Sequence, residues 1–196
     1  NRRRIPLHPE FVPEVWPEQE APPAAEHCRE CELYTHRTRI VWGEGNPRAA
    51  RWALLDNPGS REDRAGNPFV CGTRATLQFA AAHAGLTPDD LFVTYLLKRR
   101  PVKSYDKEQT RAACLGHLLE QLTEHAPKSV LCLGNIALKS FAGSPEADVK
   151  SMRGRWHRFR GIPVLATYHP LAVRRRPALM RIYLEDWLKF SAGPTV

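Results

Sequence analysis

A histidine and a carboxylate stand at the ends of two apolar runs in this chain. Ile162-Pro163-Val164-Leu165-Ala166-Thr167 leads into Tyr168-His169-Pro170-Leu171, and Arg51-Trp52-Ala53-Leu54-Leu55 leads into Asp56-Asn57-Pro58-Gly59-Ser60. Both runs read as buried strands, and the prolines and glycine after them stop a sheet ladder. In an open α/β sheet, ligands bind beyond the carboxyl ends of the strands. One crevice would then hold an imidazole, a carboxylate and the Asn57 amide. These groups can exchange hydrogen bonds and protons with a ligand. The same residue types also serve as turn caps and strand-end punctuation, so the pattern gains force only from what surrounds it.

Charge is the first such surrounding. The net charge is +8, and from Lys150 to Lys189 ten Lys or Arg face two acidic residues, while the remaining 19 of each sign cancel. The whole excess flanks His169, with Arg174-Arg175-Arg176 as a cationic loop just beyond it. Clustered cation beside a candidate site suits a polyanion such as nucleic acid, and also a solvated basic face.

The elements that must hold these residues can be read from periodicity. Residues 73–84 read as a helix with Leu77, Ala80, Ala81 and Ala84 on one face. Residues 91–97 read as a second strand and 107–125 as a long amphipathic helix. A third buried strand covers 129–134, followed by a short helix over 135–142, and Pro177 opens a final helix to Phe190. Strands alternating with helices predict a three-layer α/β/α fold around a four-stranded parallel sheet. With 42% hydrophobic residues in 196, one core is expected, spanning 27–196 as a single domain. Residues 1–26 carry six prolines and read as an extended arm that Phe11 and Trp16 could pin. Phe69 sits alone in the long loop over 61–72, placed either to pack or to stack on a planar ligand. No apolar run is long enough to span a bilayer, and Asn1-Arg2-Arg3-Arg4-Ile5-Pro6 has no apolar stretch behind it. A cytoplasmic monomer without membrane association is expected.

Five cysteines in such a protein point to metal or free thiols rather than a disulfide frame. Cys28-Arg29-Glu30-Cys31 spaces two thiolates for one metal or cluster, and zinc or iron–sulfur would each need further ligands.

Ordered motifs then carry a resemblance. Gly43-Glu44-Gly45-Asn46-Pro47, Asn57-Pro58-Gly59-Ser60-Arg61-Glu62-Asp63 and Gly66-Asn67-Pro68-Phe69-Val70 come first. Met152-Arg153-Gly154-Arg155, Gly161-Ile162-Pro163-Val164 and Tyr168-His169-Pro170 follow. From about Cys28 onward the chain resembles the uracil-DNA glycosylase superfamily, and most closely its iron–sulfur group, family 4. The resemblance implies a DNA glycosylase of the sheet architecture read above. Its first motif usually reads Gly-Glu-Ala-Pro-Gly, against Leu55-Asp56-Asn57-Pro58-Gly59 here, so the acid is kept one carbon shorter. The uracil-reading asparagine of the family aligns with Tyr95, which cannot offer the paired donor and acceptor of an amide. The four cluster cysteines align with Cys28, Cys31, Arg99 and Cys114.

By that resemblance the enzyme flips a uracil or related base from DNA and hydrolyses its N-glycosidic bond. His169 would donate a hydrogen bond to the departing base, and Asp56, with Asn57 beside it, would position water or stabilise the cationic sugar. Phe69 and Tyr95 would bind the base. Pro170, Leu171, Val173, Arg174 and Arg175 would meet DNA, with Leu171 or Val173 wedging into the stack and the arginines on phosphates. A 4Fe–4S cluster on Cys28, Cys31 and Cys114 is expected, with His27, His36 or His117 as candidates for a fourth ligand; three reduced thiols without metal is the alternative. Tyr95 also leaves open a bulkier modified base, or a homologue that binds without turnover.

Overall fold

The computed structural model describes residues 11–60, 63 and 70–194. Its sheet has six strands, β1 (Glu44–Gly45), β2 (Arg51–Leu55), β3 (Leu91–Tyr95), β4 (Ser129–Leu133), β5 (His157–Phe159) and β6 (Ile162–Thr167). Their order is β1-β3-β2-β4-β6-β5. The four central strands are parallel, as expected, and the sequence reading missed the short antiparallel strands β1 and β5 at the two edges. Each of these is two or three residues long, too short to show a period.

The central strands are mostly apolar and are buried along nearly their whole length because both faces are covered. One face sends Trp52, Leu54, Phe92, Val130, Cys132, Val164 and Ala166 into a core closed by α3 (Lys107–His125) and α4 (Asn135–Ala142). The alternate residues Ala53, Leu55, Val93, Leu131, Leu133 and Leu165 face α2 (Gly72–His83), α6 (Pro170–Arg175) and α7 (Met180–Ala192). Leu77, Val173, Tyr183, Trp187 and Phe190 complete that second core, all fully buried. Each such side chain contributes roughly 1.5–3 kcal/mol by leaving water.

Local chemistry sets the helix ends. The Asp106 side chain accepts from Gln109 N at 3.0 Å and starts α3, and the Cys71 thiol caps α2. Two short helices, α1 (Pro23–Glu26) and α5 (Val149–Met152), fill connections. The cationic segment after His169 is a helix rather than a loop, α6, and the expected final helix starts later, at Met180, behind a 3₁₀ turn over Pro177–Leu179. Pro170 at the first turn of α6 is compatible with a helix start.

The arm lies on the body from residue 11. Trp16 is buried, Gln78 exchanges two hydrogen bonds with the Glu14 backbone at 3.0 and 2.6 Å, and Glu18 forms a bridge to Glu44 of β1. Among the described residues, no helix is long and apolar enough to cross a membrane.

Candidate active site and cysteine cavity

Asp56 follows β2 and His169 follows β6, with β4 between them in the sheet. Register brings the three strand ends level, since Leu54 pairs with Cys132 and Leu133 with Thr167. The two side chains meet across the end of β4, His169 Nε2 lying 3.3 Å from Asp56 Oδ1. Both remain about a quarter exposed, so a ligand can reach them.

The backbone selects the imidazole tautomer. His169 is the N-cap of α6, and its Nδ1 accepts the Leu171 N–H at 3.1 Å. An accepting Nδ1 in a neutral ring leaves the proton on Nε2, the nitrogen that faces Asp56. Asp56 Oδ1 also accepts from Asn57 N at 2.9 Å. Burial alone would raise the Asp56 carboxyl; the hydrogen bond and charge of His169, with the backbone amides of Asn57 and Asp56, outweigh it and hold the group below its ordinary value. The Asn57 amide is turned onto its own loop, where Nδ2 donates to Pro58 O at 2.9 Å.

Two further residues make this geometry possible and were not singled out from sequence. Gly134 ends β4 with φ of +94°, and a Cβ there would lie 3.0 Å from the His169 Cβ. Only glycine both adopts that conformation readily and leaves room for the histidine. A strand running into glycine and then a helix was the available signal. Beneath the site, Asp186 of α7 accepts two bonds from Arg153, at 2.9 and 2.8 Å, and one from Thr167 Oγ1 at 2.7 Å. That tie fastens the Met152-Arg153-Gly154-Arg155 motif and α7 to the last residue of β6.

Other expected site residues fall differently. Val173 is fully buried in the second core and Pro170 is buried beside it. They hold α6 down and cannot face DNA, which corrects both assignments. The helical turn is the reason: positions 170 and 173 share its inner face. Leu171 is 37% exposed, and Arg174, Arg175 and Arg176 are exposed. The Arg174 guanidinium lies over Gly72, where a Cβ would collide with it. Tyr95 is 1% exposed, packed in the second core with its hydroxyl accepting from the buried Arg74 at 3.3 Å. Its ring is closed off from solvent and offers no exposed face for a base to stack on. Phe69 lies outside the described residues.

A second cavity, open to solvent, is lined by Cys28, Cys31, Cys114, His117, Lys98 and Arg99, among others. The Cys31 thiol is lowered to about 6, chiefly by the hydrogen bond with Cys114, whose own thiol is pushed far up by the same bond and by burial. His117 Nε2 lies 3.2 Å from Cys28 Sγ. Three thiols and an imidazole converging on one cavity suit a thiolate-preferring centre, either zinc or iron–sulfur. Arg99 brings no ligand, since guanidinium has no lone pair to give. Its guanidinium donates to the Thr38 carbonyl and to Glu26 O, the latter at 3.3 Å. Cys71 and Cys132 lie elsewhere, on the cap of α2 and within β4.

Residues 42–189 match the Uracil DNA glycosylase superfamily model. The chain is similar to the Type-4 uracil-DNA glycosylase of Pyrobaculum aerophilum, 32% identical over 176 residues that cover 85% of this chain and 89% of the relative. It is 34% identical over 171 residues to the protein of that name from Sulfurisphaera tokodaii, covering 83% and 78% of the two chains. The one from Archaeoglobus fulgidus is 31% identical over 174 residues, covering 84% and 86%.

Proposed function

The chain belongs to the uracil DNA glycosylase superfamily, and on that footing we propose that it excises uracil from DNA by hydrolysing the N-glycosidic bond. The observation that carries the reading is the Asp56–His169 pair at 3.3 Å across the end of β4. Bond cleavage leaves a cationic sugar and an anionic base, and the pair supplies an opposite partner for each. The backbone bond at Nδ1 delivers His169 with Nε2–H aimed into the crevice, ready to donate to the oxygen of the departing base without prior protonation. The Asp56 carboxylate stabilises the sugar cation and orients the attacking water.

A base inside a duplex has to be flipped out to reach these groups. Leu171, exposed on the first turn of α6, is the side chain that fills the gap in the stack. Arg174 and Arg175 on the same helix hold phosphates. With Tyr95 in the core and bound to Arg74, no described residue of the site favours a bulkier modified base over uracil.

The cysteine cavity fits the cluster that the family resemblance implies. Cys28, Cys31 and Cys114 would hold a 4Fe–4S centre whose part is to fasten the segment after α1 to α3. The hydrolysis does not run through it. The described part of the arm, residues 11–26, then acts with the body as one unit.

The test is a panel of single- and double-stranded oligonucleotides carrying uracil, hypoxanthine, xanthine or 5-substituted uracils, scored for abasic sites. Cleavage at uracil, well above the other bases, is expected. Activity on none of them would remove the enzymatic reading.

A further inference from the structure

The ligand that the cavity lacks can be sought among three imidazoles. His27 is exposed and does not line the cavity. His36 is buried and already engaged, its Nδ1 accepting from Val102 N at 3.2 Å and its ring edge-on to Tyr105. His117 lines the cavity with its Nε2 3.2 Å from the Cys28 sulfur. It stands three residues after Cys114 on α3, a spacing that puts both side chains on one helix face. Trp42 packs edge-on against the ring at 5.7 Å and fixes its plane. The other nitrogen, Nδ1, is buried without a hydrogen bond among the described residues, and the exposed Glu120 carboxylate lies 3.6 Å from it. A ligating imidazole characteristically directs its second nitrogen to a carboxylate, and Glu120 is within a small side-chain rotation of that role.

Arg99 explains why a substitute is needed. Its position carries no donor, but its guanidinium binds the carbonyls of Glu26 and Thr38, joining the turn before Cys28 to the strand-like stretch after the 3₁₀ helix Glu32–His36. The side chain has left coordination for a backbone clamp at the same wall.

We propose that His117 is the fourth ligand, so that the centre is held by Cys28, Cys31, Cys114 and His117. This rests on the cluster reading above. Exchanging a thiolate for a neutral imidazole removes one negative charge from the ligand set, and Arg99 and Lys98 line the same cavity. The centre is therefore easier to reduce than one held by four thiolates, as in iron–sulfur centres where histidine replaces cysteine.

Full-length protein, reconstituted anaerobically with iron and sulfide, tests this in four forms: unchanged, His117→Cys, His117→Ala and Glu30→Gln. The exposed Glu30 carboxylate is included because it lies within 4.8 Å of the Cys28 and His117 donor atoms. The unchanged protein should show hyperfine coupling to a histidine nitrogen in pulsed EPR of the reduced cluster. His117→Cys should retain iron, lose that coupling and show a lower reduction potential. His117→Ala should lose more than half of its iron, and Glu30→Gln should keep all of it. Full iron in His117→Ala, nitrogen coupling that survives His117→Cys, or iron loss in Glu30→Gln would each overturn the ligand assignment while leaving the cluster in place. Protein that takes up no iron, whether metal-free or holding zinc, overturns the cluster reading and this inference with it.

Discussion

The crevice and the cysteine cavity are both assembled from distant parts of the chain, yet they are held in different ways. Asp56 and His169 are 113 residues apart, and His117 and Cys28 are 89 apart. In the crevice, parallel ladders fix the strand ends and a backbone N–H fixes the imidazole. The site exists before any ligand arrives. In the cavity, two cysteines sit on irregular chain and two donors on one helix. The links across it are a thiol–imidazole contact, a thiol pair and the Arg99 clamp. A site at strand ends inherits rigidity from the sheet; a site between coil and helix borrows it from whatever it binds.

The sharpest way to break that contrast is to remove each site and look for damage in the other. His169→Ala and Asp56→Ala should each lower single-turnover uracil excision a hundredfold or more, about 3 kcal/mol. Iron content and Tm should stay at the parent values. Iron loss in either variant would show that the two regions are coupled. Cys28→Ser should do the reverse. It should release iron and destabilise the fold on the order of 2 kcal/mol, which for a chain of this size lowers Tm by roughly 4–8 °C. Calorimetry checks the first effect, and the oligonucleotide panel should show the same base preference as the parent.

Gly134→Ala sharpens the claim that the crevice is preformed. The added Cβ meets His169 at 3.0 Å on a backbone with φ of +94°. Displacing the histidine should cost about tenfold in excision rate, with roughly 1–2 kcal/mol of strain seen in denaturant unfolding. Parent activity in that variant would mean the imidazole is not held by its neighbours. Arg174→Ala and Arg175→Ala should weaken DNA binding without regard to sequence, each lowering the log–log salt slope by about one.

The smallest effect lies in titration. The folded Asp56 carboxyl is held below its ordinary value of 3.8, so its stabilising contribution is present above that value and is lost as pH falls through the lower, folded one. Carboxyl ¹³C NMR should place the midpoint below 3.8. In His169→Ala the midpoint should rise, since burial persists while the main lowering partner is gone.

The parts legible in the sequence were those with a repeating signal. The four central strands and α2, α3 and α4 follow from apolar runs and helical spacing, and Asp56 and His169 follow from the turns that end two of the runs. The edge strands carry too few residues for a period. Helix α6 was hidden because its two arginines, the Arg176 after it and its proline read as loop, and with it went the inward direction of Pro170 and Val173. Tyr95 was placed at the correct strand end, but its partner Arg74 is a charged residue whose burial, at 3% exposed, no local pattern announces. His117 stood among three equal candidates until the fold brought Cys28 beside it.

The prolines of the arm also have a consequence at the sheet's border. Gln19 N donates to Gly43 O and Gly45 N to Pro17 O, both at 2.8 Å, so this stretch lies along the outside of β1 as an added rim. An uncovered border strand invites another chain to pair with it. Pro13, Pro17 and Pro22 have no N–H to offer outward, so the rim closes the ladder on the inside and offers an incomplete one to a neighbour. That border is therefore a poorer template for a further strand than an uncovered β1 would be.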